Sequence, residues 1–183
     1  LKEFVYCAFS VGAEGINKKN ERGISSTKEI LNACLRLQAA GIPYDLWVDP
    51  MFYAWNFRDE YGALFEGIAS VHVNPQRWII GAYRLSPRVL SILRAEFPDS
   101  PLIPLHKVLI HSGPAGMYKK KYPPEIEFEL LSFAAQEIWR RFRARQIIFC
   151  KPPYVVWQLL MRTYAFLDPK VAAWCGCRPP CSR

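Results

Sequence analysis

The chain has 183 residues, a formal net charge of +8, 51% apolar residues and 14% aromatic residues. This length favours one domain with a sizeable core, and this composition excludes an intrinsically disordered chain. No apolar run is long enough to span a bilayer as a helix, and the basic balance favours acidic partners.

The first part of the chain contains the clearest helix signal. Residues 4–9 are apolar and fit a strand or a helix, and the polar, glycine-rich residues 12–25 predict a loop. Ser26 and Glu29 have the spacing of a capping box, which predicts a helix over residues 26–40. Gly41 stands where a helix C-terminal cap is wanted, and Pro43 blocks continuation.

The middle of the chain contains repeated entry signals for short helices. Asp49-Pro50, Asn74-Pro75 and Ser86-Pro87 each place a capping residue before a proline that suits the first turn of a helix. The helices predicted here comprise residues 51–58, 59–70, 76–83 and 88–97. The natural repeating unit is therefore a pair of short helices in each period of the sequence.

The last part of the chain is predicted to hold a long helix pair. Residues 98–124 are rich in proline and predict an extended connection. Pro124 opens a helix over residues 124–149 with acidic residues first and arginines last, as the helix dipole prefers. A second helix follows over residues 154–167, and residues 175–183 form a Cys/Pro-rich tail after a domain that comprises residues 1–174.

A spacing of roughly thirty residues separates Pro43, Pro75 and Pro104, and a period of this size is typical of stacked helical hairpins. The many helices and few strand signals lead to the same class. We therefore predict an all-α fold of stacked hairpins, a solenoid fragment that ends in the long helix pair.

Residues 29–45 (EILNACLRLQAAGIPYD) resemble the second helix of a pentatricopeptide repeat and its exit toward the next unit. Residues 77–83 and 88–104 resemble the two helices of a following repeat. The resemblance implies a non-catalytic subunit that docks on a mitochondrial assembly in the matrix, as do accessory subunits on the catalytic head of ATP synthase. The chain starts at Leu1 without a signal-peptide pattern, which we interpret as a processed or trimmed end.

An RNA-binding or mitoribosomal role is the first alternative. RNA-binding members of that family use polar side chains near the start of each first helix, and only Asp49 matches such a position here. A single reading residue is not a base code, so RNA is expected less than a protein partner. A steep dependence of binding on salt would favour nucleic acid.

Aromatic and arginine side chains are the expected contacts with a protein partner, because both are enriched where interfaces bind most strongly. The expected partner-binding residues are Trp47, Phe52, Trp55, Arg140, Arg141 and Arg143.

No catalytic or cofactor site is expected. Phosphate-binding glycine loops are missing from the sequence, and the three histidines lie outside metalloprotease spacing. Cys175, Cys177 and Cys181 could bind a metal or form disulfides, but a closed zinc site normally needs a fourth ligand. We expect reduced cysteines and no resident metal.

An α/β nucleotide-processing enzyme is the second alternative. Residues 4–9 would form its first strand, residues 26–40 a crossover helix and residues 44–48 the second strand. This beginning resembles nucleoside deoxyribosyltransferases and TIR domains, in which a catalytic glutamate lies on a later helix. Glu66 or Glu96 would then take that role.

Overall fold

The computed structural model describes residues 6–16, 23, 25–105, 107–112, 119–144 and 146–172. The helices are α1 (Thr27–Ala39), α2 (Phe57–Ser70), α3 (Pro87–Glu96), α4 (Leu102–Leu105), α5 (Pro124–Phe142), α6 (Tyr154–Thr163) and α7 (Pro169–Ala172). The strands are β1 (Cys7–Ser10), β2 (Tyr44–Met51), β3 (Arg77–Ala82), β4 (Arg84–Leu85), β5 (Ile110–Ser112), β6 (Lys119–Lys121) and β7 (Ile147–Phe149).

The centre of the molecule is a four-stranded parallel sheet in the order β1-β2-β3-β7. A three-stranded antiparallel sheet in the order β4-β6-β5 lies beyond β3 along the chain. The all-α prediction is therefore wrong: the fold is α/β, and the second alternative described its first three elements correctly. The strand–helix–strand beginning that it requires is formed by β1, α1 and β2.

The helix over residues 26–40 was predicted correctly, because its signals are local. The Ser26 side chain accepts a hydrogen bond from the Glu29 amide, and the Glu29 carboxylate accepts one from the Ser26 amide. At the other end, Gly41 has a φ of 68°, in the left-handed region that favours glycine. Its amide donates to the Gln38 carbonyl at 3.0 Å, so Gly41 caps the C-terminus of the helix as expected.

The predicted helix over residues 76–83 is wrong, because β3 occupies this position. Five of its six residues are buried, so the segment shows neither the helical nor the alternating period. Parallel strands that are covered on both faces read as such continuous apolar runs. The end of the predicted 124–149 helix fails for the same reason: α5 stops at Phe142, and the buried run Ile147–Phe149 forms β7.

The helices α1, α2 and α5 lie on one face of the parallel sheet. Each new strand is added on the same side of the previous one, and right-handed crossovers then place their helices together. The Trp78 ring contacts Phe65 of α2 at 6.2 Å and Phe142 of α5 at 4.7 Å. The Tyr44 hydroxyl donates a hydrogen bond to the Gln38 side chain of α1. This winding is the one used in β/α barrels, where the helices lie outside the strands.

The other face of the sheet is partly open. Strand register places Ala8, Ser10 and Trp47 on this face, and all three are exposed. A small apolar cluster of Ile79, Ile148 and Cys150 lies on the same face, separate from the main core. Parallel sheets are normally covered on both faces, so the exposed part of this face is available to a ligand or to further protein.

Candidate functional site

Polar side chains converge at the carboxyl edge of the parallel sheet. Asp49 lies near the end of β2, Arg84 follows β3, and Cys150 follows β7 directly. Because the carboxyl ends of parallel strands meet at one edge, side chains far apart in sequence are brought together. Loops at this edge form the ligand sites of α/β proteins.

Arg84 connects the three strands. Its Nη2 donates to the Asp49 carboxylate at 3.2 Å, and its Nη1 donates to the carbonyl oxygen of Cys150 at 3.1 Å. The Arg84 and Asp49 side chains are only 14% and 10% exposed. A pair this well shielded is screened little by salt, and it holds the guanidinium in a fixed orientation.

Lys121 and Glu127 complete the cluster from the other sheet and from a helix. Arg84 faces Lys121 in the antiparallel pairing of β4 with β6, and the Lys121 ammonium donates to the Lys151 carbonyl at 2.9 Å. Glu127 lies in the first turns of α5, close enough to Lys121, Arg84 and Asp49 for their charges to act on its carboxyl group. The site therefore holds two carboxyl groups and two cations.

Glu127 is the unusual member of the cluster. Its side chain is 1% exposed, and neither carboxylate oxygen has a hydrogen-bond partner among the described residues. Burial raises its pKa to about 7, against the opposing influence of the Lys121 and Arg84 charges. A buried acid that lacks partners costs folding free energy, and a pKa near neutrality is typical of groups that exchange protons in active sites.

Burial also affects the neighbouring ionisable groups. Desolvation lowers the pKa of Lys121 and raises that of the Cys150 thiol to about 12. The Cys150 thiol therefore stays protonated at neutral pH and is not a nucleophile in this state. Its Sγ accepts a hydrogen bond from Arg84 at 3.2 Å, so it helps to orient the guanidinium.

Tyr83, the residue directly after β3, has a second buried group without a partner among the described residues, its hydroxyl. Its ring lies 4.7 Å from that of Phe52, and burial raises its pKa to about 12. At neutral pH the hydroxyl is therefore a neutral donor and acceptor. Together with Glu127, it gives this region two polar groups that the described part of the chain leaves unsatisfied.

A different polar cluster lies toward the amino ends of the strands. The Asp45 carboxylate, 2% exposed, accepts hydrogen bonds from Arg77 at 2.8 and 3.1 Å. The Tyr6 hydroxyl also donates to Asp45, and the Arg77 guanidinium lies 5.0 Å from the centre of the Tyr6 ring. Every oxygen of this carboxylate has a partner, so we assign the cluster a structural role.

The residues expected to bind a protein partner are scattered over the molecule. Trp47 lies on the open sheet face at 37% exposure, and Trp55 is 94% exposed in the loop after β2. Phe52 is buried in the core. These three side chains therefore do not form one surface, and their role in partner binding stays a prediction.

The three arginines belong to the end of α5. Arg140 and Arg141 both pair with Glu137 at 2.9 Å, within their own helix. Arg143 lies over the Trp139 ring at 5.8 Å. Their contact with a partner also stays a prediction.

The glutamates nominated for the α/β alternative do not lie in the site. Glu66 is exposed on α2 and pairs with Arg141, and Glu96 is exposed at the end of α3. Sequence reasoning did not place Arg84, Lys121, Glu127 or Cys150 in a site. The usable signal was a short apolar run followed by a charged residue, as in residues 78–83 before Arg84.

Within the described ranges, no group of three or more His, Cys, Asp or Glu side chains could hold a metal ion. Cys175, Cys177 and Cys181 lie outside these ranges. No helix in the described part of the chain combines the length and the apolar character that crossing a membrane requires.

The fold defines an α/β protein with a cluster of charged side chains at the carboxyl edge of its parallel sheet. No family model matches the sequence, and no curated protein matches it at a significant level. Solved structures of spore photoproduct lyase match the fold. The complex of that enzyme with dinucleoside spore photoproduct has a TM-score of 0.69 and 19% identity, and the match covers 79% of this chain.

A mutant of the same lyase with bound AdoMet and dinucleoside spore photoproduct matches with a TM-score of 0.68 and 19% identity. In both cases the match spans 43% of the lyase chain. At this identity the likeness shows the fold. It overturns the pentatricopeptide resemblance, and with it the expectation of a non-catalytic subunit on the ATP synthase head.

Proposed function

We propose that this chain is part of an α/β enzyme that binds AdoMet at the carboxyl edge of its parallel sheet. The observation that carries this proposal is Glu127, a carboxyl group 1% exposed and without a partner, beside Lys121, Arg84 and Asp49. A fold gains nothing from an unsatisfied buried acid. A ligand that donates to the Glu127 carboxyl would supply the missing partner.

The charges of the cluster suit the amino-acid portion of AdoMet. That portion carries an ammonium and a carboxylate, and the cluster offers two acidic groups and two cations. We assign the ligand ammonium to Glu127 and Asp49, and its carboxylate to Arg84 and Lys121. Charge-assisted hydrogen bonds of this kind are roughly twice as strong as neutral ones.

AdoMet, when bound, supplies a carbon–sulfur bond activated by the sulfonium charge. The protein's own contribution is to orient and shield it. Arg84 is fixed by Asp49 and by the Cys150 carbonyl, so a carboxylate that binds to it is held in one position. The Glu127 carboxyl, with a pKa of about 7, can hold or release a proton near neutral pH.

The open face of the sheet is the proposed surface for the second substrate. Trp47 lies on the same face of β2 as Asp49 and two residues before it, about 7 Å along the strand. Its exposed ring suits stacking with a nucleobase, and the matching lyase is bound to a dinucleoside. The net charge of +8 also favours an anionic substrate.

Equilibrium dialysis with radiolabelled AdoMet tests the proposal. The wild-type chain should bind AdoMet saturably at one site, and Glu127→Gln should weaken binding at least about tenfold, since a charged hydrogen bond contributes about 1.5–3 kcal/mol. Glu129→Gln is the matched control, because Glu129 lies on the same helix in a surface pair with Arg58. Absence of saturable binding, or equal effects of both variants, would contradict the proposal.

A further inference from the structure

A groove of about 540 Å³ lies between α1 and α2, the two helices that cover β1 and β2. It is a separate feature from the edge cluster, since none of Asp49, Arg84, Lys121 and Glu127 lines it. Its volume falls within the range of small-molecule sites, roughly 300–1,000 Å³. The groove therefore has room for a small organic ligand.

The groove exists because α2 presents small residues to α1. Ala63 and Gly67, one helical turn apart, line it together with Leu31 and Leu64. A Cβ atom added at Gly67 would meet no heavy atom within 4 Å. Glycine in a helix interior costs about 1 kcal/mol relative to alanine, and here no close backbone contact requires it. The described residues therefore leave the space beside Gly67 unfilled.

One end of the groove is acidic. Glu14 and Glu60 line this end, and Lys28 is the one cation among the described residues that line the groove. The half-buried Glu60 carboxylate accepts a hydrogen bond on Oε1 from the Asn56 side chain at 3.1 Å. No ion pair joins it to a cation in the described part of the chain, and its position over Gly15 leaves no space for a Cβ there. The carboxylate is thus held in place, and among the described residues neither Lys28 nor another cation forms an ion pair with it.

We propose that this groove binds a small organic cation, a primary amine on an apolar chain. The chain would lie against Leu31 and Leu64, and the ammonium would donate to Glu60. Burial of each methylene contributes about 0.8 kcal/mol, and the charged hydrogen bond selects an amine over an alcohol or a carboxylate of the same length. The acidic end makes this selection locally, in a chain whose net charge is +8.

The test compares three probes of equal length: n-hexylamine, n-hexanol and hexanoate. Each is titrated into the ¹⁵N-labelled chain at pH 7 and followed by amide chemical shifts. Hexylamine should bind saturably and shift residues of α1 and α2, about tenfold more tightly than hexanol, while hexanoate should not bind. Equal binding of hexylamine and hexanol, or hexylamine shifts outside these helices, would overturn the proposal.

Four variants locate the site. Glu60→Gln should remove the preference for hexylamine, so that hexylamine and hexanol bind with about equal affinity. Gly67→Leu should abolish binding of both probes by filling the groove. Gly67→Ala is the matched control, which should keep the preference for the amine. Hexylamine binding that survives Gly67→Leu would contradict the proposal; if that variant does not fold, Glu60→Gln decides. Glu127→Gln should leave hexylamine binding unchanged, so this result is independent of AdoMet binding.

Discussion

The carboxylate of Asp49 lies directly against the backbone of Gly81 on the neighbouring strand. A Cβ atom at Gly81 would stand 2.7 Å from the Asp49 Cγ, closer than real Cβ contacts come. The bare backbone of β3 at this point gives the carboxylate its place beside Arg84. A glycine in a strand interior thus marks the floor of the candidate site.

Gly81→Ala should therefore damage both the fold and the site. The added methyl would push the Asp49 carboxylate away from Arg84, and overpacking of this kind costs about 1–3 kcal/mol. Urea denaturation should show this loss in the free energy of unfolding, and AdoMet binding should weaken in parallel. Gly62→Ala is the control, since its Cβ would meet only Phe133 at 3.9 Å. Equal stability of the two variants would contradict the assignment.

Stability should fall with rising pH because of Glu127. Its pKa is raised from 4.5 to about 7 in the folded chain, so the folded state binds more protons than the unfolded state between these values. The stabilising contribution of this proton is fully present below about pH 4.5 and is lost as the pH rises through 7. Each unit of pKa shift corresponds to about 1.4 kcal/mol, so the loss of folding free energy is on the order of 3 kcal/mol.

Glu127→Gln isolates this contribution. The free energy of unfolding, measured by urea denaturation at pH 5 and pH 8, should fall with pH by roughly 3 kcal/mol less in the variant than in the wild type. All other ionisable groups are common to both proteins, so their contributions cancel in the comparison. An identical pH dependence in wild type and variant would mean that Glu127 titrates normally.

Alanine substitution at Phe52 and at Trp55 should change the free energy of unfolding very differently, although both residues were expected to contact a partner. Phe52 is 2% exposed, so Phe52→Ala should lower the free energy of unfolding by about 3–5 kcal/mol. Trp55 is 94% exposed, so Trp55→Ala should change it by less than about 0.5 kcal/mol. Thermal and urea denaturation check both values. A folded Trp55→Ala variant can then show, by co-purification, whether this ring binds a partner.

Local signals predicted only part of the fold. The capping box of Ser26 and Glu29 identified α1, and Ser86 with Pro87 identified α3, whose cap accepts a hydrogen bond from the Val89 amide at 3.2 Å. These elements are specified by hydrogen bonds between residues three apart. The strands β3 and β7 gave no such signal, because burial on both faces removes the alternation that marks a strand.

The proline spacing was misleading for a related reason. Pro43, Pro75 and Pro104 do punctuate the chain, but the interval of roughly thirty residues also fits a strand–helix–strand unit. Tyr44–Met51 and Arg77–Ala82, which follow two of these prolines, are neighbouring parallel strands. A period of this length indicates a repeated unit without deciding whether that unit contains a strand.

The sequence by itself determined the helix caps, the apolar runs that form the core and the basic charge, because each depends on residues close together in the chain or on composition. The tertiary structure alone decided the candidate site. Asp49, Arg84 and Cys150 are far apart in sequence and meet through parallel strand pairing, and Lys121 joins them through the antiparallel pairing of β4 with β6. Glu127 looks like an ordinary acidic residue in the first turns of a helix. Only its burial beside those strand ends removes water from its carboxyl group and raises its pKa.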